Sequence, residues 1–412
     1  MTERPSLRDP KVGLLSLGVG LAAAGVGAAI GLAAERVAVG RPLLPGRRRP
    51  GAGLDGTGPD AVPFGSLQGT GHRVAATDGT VLHVEVDDAP DAGQRLVEAP
   101  TRRAGSEPET VTIVFSHGYA LAMGTWHYQR KVLRGHYRAV YWDQRGHGLS
   151  GTGPLGSATI EQLGSDLEQV IEAVAPSGPL ILVGHSMGGM TVMSLAERRP
   201  DLFEERVLGV ALVATSAGGL GDVDFGLAGF GRLFQRLAPT AVRALTFTPR
   251  LVERTRRIGS DLETLLVRRY SFGSAVSQEL VRFCADMIAS TRLEVISDFL
   301  PTFSAHDRRE VLAVLDGREV LVLVGDDDLL TPVDHSEDIV RRLPGAEHVL
   351  VHDAGHMVML EHPELVTGHL LELIERALRS HGRVDAAGRR RPRVRRTVTP
   401  LRRRGRRRDG AA

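Results

Sequence analysis

PLILVGHSMGGMTVMSLAERRP, residues 179–200, changes character in its middle. The opening run PLILV is short, apolar and partly β-branched, and reads as a buried strand. Met187 to Arg199 suits a helix that Pro200 stops. Between them Gly184-His185-Ser186-Met187-Gly188 has the pattern G-x-S-x-G. That pattern alone is a weak signal in a chain with 49 glycines among 412 residues. Its place, directly after a strand and directly before a helix, gives it meaning. Gly184 and Gly188 leave room for a sharp turn that lifts the Ser186 hydroxyl clear of the backbone, and Gly189 lets the helix approach the strand.

The same alternation continues outward. VTIVFSHG (111–118), YRAVYWD (137–143), RVLGVALVAT (206–215), REVLVLVG (318–325) and HVLVHD (348–353) read as strands. Residues 159–175 carry Ile160, Leu163, Leu167, Val170, Ile171 and Val174 on one helical stripe. Asp78-Gly79, inside HRVAATDGTVLHVEVDD, marks a hairpin, and 92–109 reads as a loop. Apolar strands alternating with helices give a mostly parallel central sheet with helices on both faces. Residues 216–310 break the rhythm. Long and helical in pattern, they read as a cap inserted over the C-terminal edge of the sheet. The cap carries Phe225, Leu227, Phe230, Phe234, Leu237, Phe247 and Phe272, which either form its own core or line a lipophilic pocket.

A serine hydroxyl is a poor nucleophile at neutral pH. It needs a base within hydrogen-bond reach, and the base needs an orienting carboxylate. In the fold whose nucleophile turn this one resembles, acid and base come later in the chain, in that order. GDDDLLTP (325–332) follows one strand and offers Asp326, Asp327 and Asp328. Ala354-Gly355-His356 follows the last strand. His352 falls inside that strand, and His362 and His369 fall in the helical region beyond, so His356 is the candidate base. Both segments sit at the C-terminal ends of parallel strands, where open sheets place their sites. The amide of Met187, next to the serine, is one candidate donor to a developing oxyanion.

From about residue 72 to 380 the chain resembles the α/β-hydrolase fold family. The resemblance rests on His117-Gly118, the run D-x-R-G-x-G-x-S at 143–150, the elbow at 184–188, and G-x-x-D-x-x-x-P with a late Gly-His. It implies that the acid is Asp328, four residues before Pro332, and that the second oxyanion donor is the amide of Tyr119. It implies a bracing role for His117, and a structural turn held by Asp143, Arg145, Gly146, His147 and Ser150. Relatives in this fold that hydrolyse epoxides or alkyl halides use Asp as nucleophile. With Ser186 in that place the resemblance implies acyl transfer to water from a small-molecule ester, without metal or organic cofactor. The alternatives are another serine chemistry of the fold (C–C bond hydrolysis, amide hydrolysis, a haloperoxidase-like reaction) or a non-catalytic binding protein.

The total charge of +2 makes no case for specific nucleic-acid binding, and a single cysteine, Cys284, permits neither an intrachain disulfide nor a cysteine metal cluster. The sum hides an asymmetry, because 13 Arg and one Asp lie between Arg383 and Arg408. This tail (383–412) lacks an apolar period and is expected to be disordered, touching anionic lipid, contacting nucleic acid nonspecifically or having no partner. At the other end VGLLSLGVGLAAAGVGAAIGLAA, 12–34, has no charge between Lys11 and Glu35. It reads as a membrane-spanning anchor, with a cleaved signal or a surface-lying helix as alternatives. Arg36, Arg41 and Arg47 to Arg49 outnumber Arg4, Arg8 and Lys11, which favours a cytoplasmic catalytic domain on a membrane over a secreted one. The expected organisation is therefore an N-terminal segment (1–36), a Pro, Gly and Arg-rich linker (37–70), a hydrolase domain (71–382) with its cap, and the tail.

Overall fold

The computed structural model describes residues 62–89, 110–220 and 266–381. The run 12–34, the loop at 92–109, the cap residues Phe225, Leu227, Phe230, Phe234, Leu237 and Phe247, and the Arg-rich tail lie outside them. Among the described residues no helix is long and apolar enough to cross a membrane.

Eight strands form one sheet: β1 (Thr70–Ala75), β2 (Val81–Asp87), β3 (Thr112–Ser116), β4 (Arg138–Trp142), β5 (Leu180–His185), β6 (Val207–Val213), β7 (Glu319–Gly325) and β8 (Glu347–Val351). Their order is β1-β2-β4-β3-β5-β6-β7-β8. β1 and β2 form the antiparallel hairpin around Asp78-Gly79, with Gly79 at φ 81. β2 also meets β4 antiparallel, and every pairing from β4 to β8 is parallel. The strand ends differ from the sequence reading by one or two residues. β8 stops two residues early, at Val351, because the chain turns at Asp353 with φ 54.

Both faces are covered, as near-continuous apolar strands require. Ile113, Phe115, Tyr141, Ile181, Val183 and Leu323 face one core, and Val114, Val140, Trp142, Leu182, Leu212 and Val322 face the other. The first core is closed by α1 (His127–Leu133), the short α8 (Val358–Glu361) and the C-terminal helix α9 (Pro363–His381), the second by α2 (Ile160–Val174), α3 (Met187–Arg198) and α7 (Val333–Arg342). In α2 all six residues of the apolar stripe are buried, each such aliphatic side chain contributing about 1.5–3 kcal/mol relative to exposure. Thr159 caps the helix by accepting from Gln162 N at 3.1 Å. Pro200 opens the short helix α4 (Pro200–Glu205).

The described part of the cap is the helical segment 266–271, α5 (Gln278–Ser290) and α6 (Leu293–Ala305), all inserted between β6 and β7. Phe272 is buried in the core shared with the sheet and α9. Phe64, within the stretch read as linker, stacks on Phe283 of α5 with ring centroids 4.8 Å apart and touches His127 and Tyr128.

Candidate active site

The site lies where β3, β5, β7 and β8 end, at the C-terminal edge of the sheet. Ser186 follows β5 with φ 52 and ψ −117. For a residue with a side chain this is a sparsely populated conformation that costs of order 1–3 kcal/mol, and it persists only where the surroundings impose it. Here they do. Ser186 N donates to Val213 O at 2.9 Å, and Thr215 Oγ1 donates to Ser186 O at 2.7 Å, so the chain leaving β6 holds the turn. A Cβ on Gly184 would lie 2.4 Å from Gly188 O, and one on Gly188 would lie 2.2 Å from Ser116 O. Both glycines are therefore steric necessities, and the second brings the turn against the end of β3. Ser186 itself is half-buried.

The loop after β3 is built from buried imidazoles. His117 donates from Nδ1 to Gly118 O at 2.7 Å and accepts at Nε2 from Gln144 N at 2.9 Å. Gln144 returns Nε2–H to His117 O and accepts from Thr191 Oγ1 of α3 at 2.6 Å. His147 donates from Nδ1 to Arg145 O at 2.8 Å and accepts at Nε2 from Ala120 N at 3.0 Å. Ala120 has φ 55. Burial pushes His117 down to about 3 and His147 down to about 4, so both are neutral and each keeps one acceptor nitrogen. The Tyr119 amide lies in this loop. That of Met187 opens α3, where it has no partner inside the helix.

The run 143–150 is a braced turn. Asp143 accepts from Met123 N and Leu149 N, both at 2.9 Å, and Ser150 Oγ donates to Asp143 O at 2.6 Å. Arg145 grips Asp166 of α2 through two bonds, of 2.6 and 2.7 Å, and reaches Asp78 of the hairpin at 2.8 Å. The Arg145 and Asp166 side chains have no exposure, so loss of either partner would strand a buried charge at a cost of about 3–5 kcal/mol.

His356 and Asp328 meet. His356 Nδ1–H donates to Asp328 Oδ2 at 2.9 Å, and the Asp328 side chain is fully buried. The same carboxylate accepts from Leu330 N at 2.8 Å, Thr331 N at 3.0 Å and Thr331 Oγ1 at 2.9 Å. With Nδ1 committed, the imidazole keeps Nε2 as its acceptor. Asp326 instead pairs with His352 at 2.7 Å on the surface. Asp327 is raised by burial and by its neighbours Asp326 and Asp353. The His356 ring lies 4.8 Å from the ring of His185, the residue before Ser186. Among the described residues no hydrogen bond joins Ser186 Oγ to His356. Such contacts are often long without substrate and tighten in the complex.

Two contributors were missed in the sequence. His185 is fully buried and donates from Nε2 to His356 O at 3.0 Å; burial and the neighbouring His356 hold it well below the usual range. The alternation of Ile181, Val183 and residue 185 on one strand face was the available signal. Glu361 accepts from Gly355 N at 2.7 Å, Gly273 N at 3.2 Å and Ser274 N. It ties the loop before His356 to the cap, and no sequence signal marks it. Glu347, His369 and Glu372 also cluster, but Arg376 already sits 2.6 Å from Glu347 and supplies the opposing charge.

An apolar cluster of Ile160, Leu163, Met187, Met190, Leu220, Val295 and Phe299 joins α2, α3 and α6, with Tyr119 and Phe303 packed against it.

A family model described as alpha/beta hydrolase fold matches residues 111–363. An sn-1-specific diacylglycerol lipase from Mus musculus is 24% identical over 74% of this chain and 94% of its own length. The acetyltransferase component of an acetoin-cleaving system from Pseudomonas putida is also 24% identical, over 64% of this chain; the match spans 63% of that relative's length. A thermophilic esterase from Thermogutta terrifontis superposes with a TM-score of 0.56 at 23% identity, over 74% of this chain and 98% of that structure.

Proposed function

The chain belongs to the α/β-hydrolase fold family, and from that premise we propose that it is a serine hydrolase that cleaves a lipophilic carboxylic ester through an acyl-enzyme. The observation that carries this reading is the Asp328–His356 hydrogen bond beside a serine held at φ 52. In this reading Ser186 Oγ attacks the ester carbonyl carbon while its proton passes to His356 Nε2. The oxyanion accepts the amides of Tyr119 and Met187, each such donor lowering the barrier by about 2.7–4 kcal/mol. The imidazolium, stabilised by ionised Asp328, gives its proton to the departing alkoxide, leaving Ser186 acylated. Water then loses a proton to His356 and attacks the acyl carbon. The carboxylic acid leaves and Ser186 recovers its proton. The apolar cluster that Met190, Val295, Phe299 and Phe303 form with Met187 and Tyr119 supports a lipophilic acyl group.

The test is a series of nitrophenyl esters of increasing acyl length, with matched anilides and carbamates, alongside labelling by a fluorophosphonate. The expected result is labelling of Ser186 and a kcat/KM that rises with chain length on esters. A preference for anilide or carbamate, or for acetate over all longer esters, would remove the lipophilic-ester reading.

The same reading places the enzyme at a membrane through residues 12–34, since 23 uncharged residues suffice for a spanning helix. The Arg-rich tail adds at most a salt-sensitive attraction of about 1 kcal/mol per basic residue near anionic lipid. Full-length protein is expected to stay with membranes through high-salt and carbonate washes, and a deletion of residues 1–36 to become soluble. Release by salt alone would assign the binding to the tail.

A further inference from the structure

The cap helix α6 meets the loop after β3 through one side chain in particular. Tyr119 Oη donates to the carbonyl of Ile296 in α6 at 2.5 Å, across 177 residues of sequence. The Tyr119 side chain is half-buried, and desolvation pushes the phenol well above its ordinary value, so it is a donor throughout the working range. The accepting carbonyl lies in a helix interrupted by Pro301, which has no N–H for the carbonyl of Ser297 and loosens that turn. Around this bond α6 is seated closely. A Cβ on Gly146 would lie 2.6 Å from Val295 Cγ1. Thr302 Oγ1 accepts from Ile160 N, the first amide of α2, at 3.0 Å. The Phe299 and Phe303 rings stand edge-on to Tyr119 at 6.4 and 5.0 Å.

The backbone beside Tyr119 is fixed from below. Gly118 O is taken by His117 and Ala120 N by His147. These bonds pin the peptides on either side, and the phenol ties the residue between them to the cap. Tyr119 thus has two ends with different tasks. In the proposed reading its amide serves the oxyanion, and its hydroxyl holds the cap.

We propose that the Tyr119 phenol is a positioning residue through which the seated cap helix sets the aim of the Tyr119 amide, so that oxyanion stabilisation depends on the cap. This rests on the reading of Tyr119 N and Met187 N as oxyanion donors. Tyr119→Phe removes only the hydroxyl and keeps the amide and the ring, so it separates tether from packing.

The experiment uses the full-length chain, wild type and Tyr119→Phe, with a nitrophenyl ester as substrate and an alkyl trifluoromethyl ketone as inhibitor. The ketone adds Ser186 Oγ to its carbonyl carbon and places an oxyanion where the intermediate has one. Loosening a donor costs less than deleting it, so kcat is expected to fall about tenfold and the inhibitor Ki to rise by a similar factor, with KM changed less than about twofold. A residue of purely structural importance would lower thermal stability and leave kcat and Ki in place. Thr302→Val acts from the cap side by removing the hydroxyl that seats α6 on Ile160 N; it is expected to lower kcat and raise Ki in the same direction, and it decides the matter if Tyr119→Phe does not fold. A wild type that is labelled by fluorophosphonate, with folded variants of unchanged kcat and Ki, overturns the coupling alone. A wild type that is neither labelled nor active on esters overturns the hydrolase reading and the coupling with it.

Discussion

Ser186→Ala should abolish ester turnover and fluorophosphonate labelling while leaving the thermal unfolding midpoint close to that of the parent. The hydroxyl makes no hydrogen bond among the described residues, and the turn is held by the backbone groups of Ser186, by Val213 O and by Thr215 Oγ1. Its loss therefore costs little stability. The chemistry has no substitute for it, because His356 cannot reach an acyl carbon through a missing oxygen. His356→Ala should cost a comparable factor, on the order of 10⁴ or more in kcat, since triad members act as a unit. The double variant should then be hardly worse than either single one. Steady-state kinetics with a nitrophenyl ester measure all three. Full activity in either single variant would sink the assignment of nucleophile and base.

Asp328→Asn is expected to lose about 10⁴ in kcat, against less than about twofold for Asp326→Asn. The two carboxylates lie two residues apart in one turn, yet their surroundings are opposite. Asp328 is fully buried and accepts from His356 Nδ1, two backbone amides and the Thr331 hydroxyl. An amide in its place offers N–H₂ or a neutral oxygen to His356, favours the wrong tautomer and no longer stabilises the imidazolium. Asp326 meets His352 where both side chains are about a third exposed, 31% each, and a surface pair of that kind is worth little. The measurement is kcat on one ester at saturating concentration. Greater sensitivity at Asp326 or Asp327 would mean that the register taken from the family pattern is wrong.

How legible these features are depends on how local their causes are. The strand, the turn and the helix at 179–200 could be read because apolar run, glycines and proline act on their own neighbours. The turn at Ser186 needs bare glycines at 184 and 188, and the sequence has them. Which carboxylate serves His356 is less local. Three adjacent aspartates look alike, and the difference arises when Leu330 N and Thr331 N turn one of them inward. His185 was within reach of strand alternation and was passed over as the free position of a motif. The bond from Tyr119 to Ile296 and the clamp of Glu361 on Gly273 and Gly355 depend on where the cap rests. No spacing in the chain announces a contact made across 177 residues.

The sheet order has a consequence for how the protein loses activity. Ser186 leaves β5, which has hydrogen-bonded neighbours on both sides, while His356 follows β8, which among the described strands pairs with β7 alone. Local openings begin where backbone pairing is one-sided and cooperative support is thin. Ser186 and His356 therefore sit at opposite ends of the sheet's own gradient of protection. Fraying of the outer strand carries His356 away while Ser186 is still held as in the native protein. Inactivation under mild stress is then expected before unfolding, as a reversible state with the rest of the sheet intact and Ser186 parted from His356.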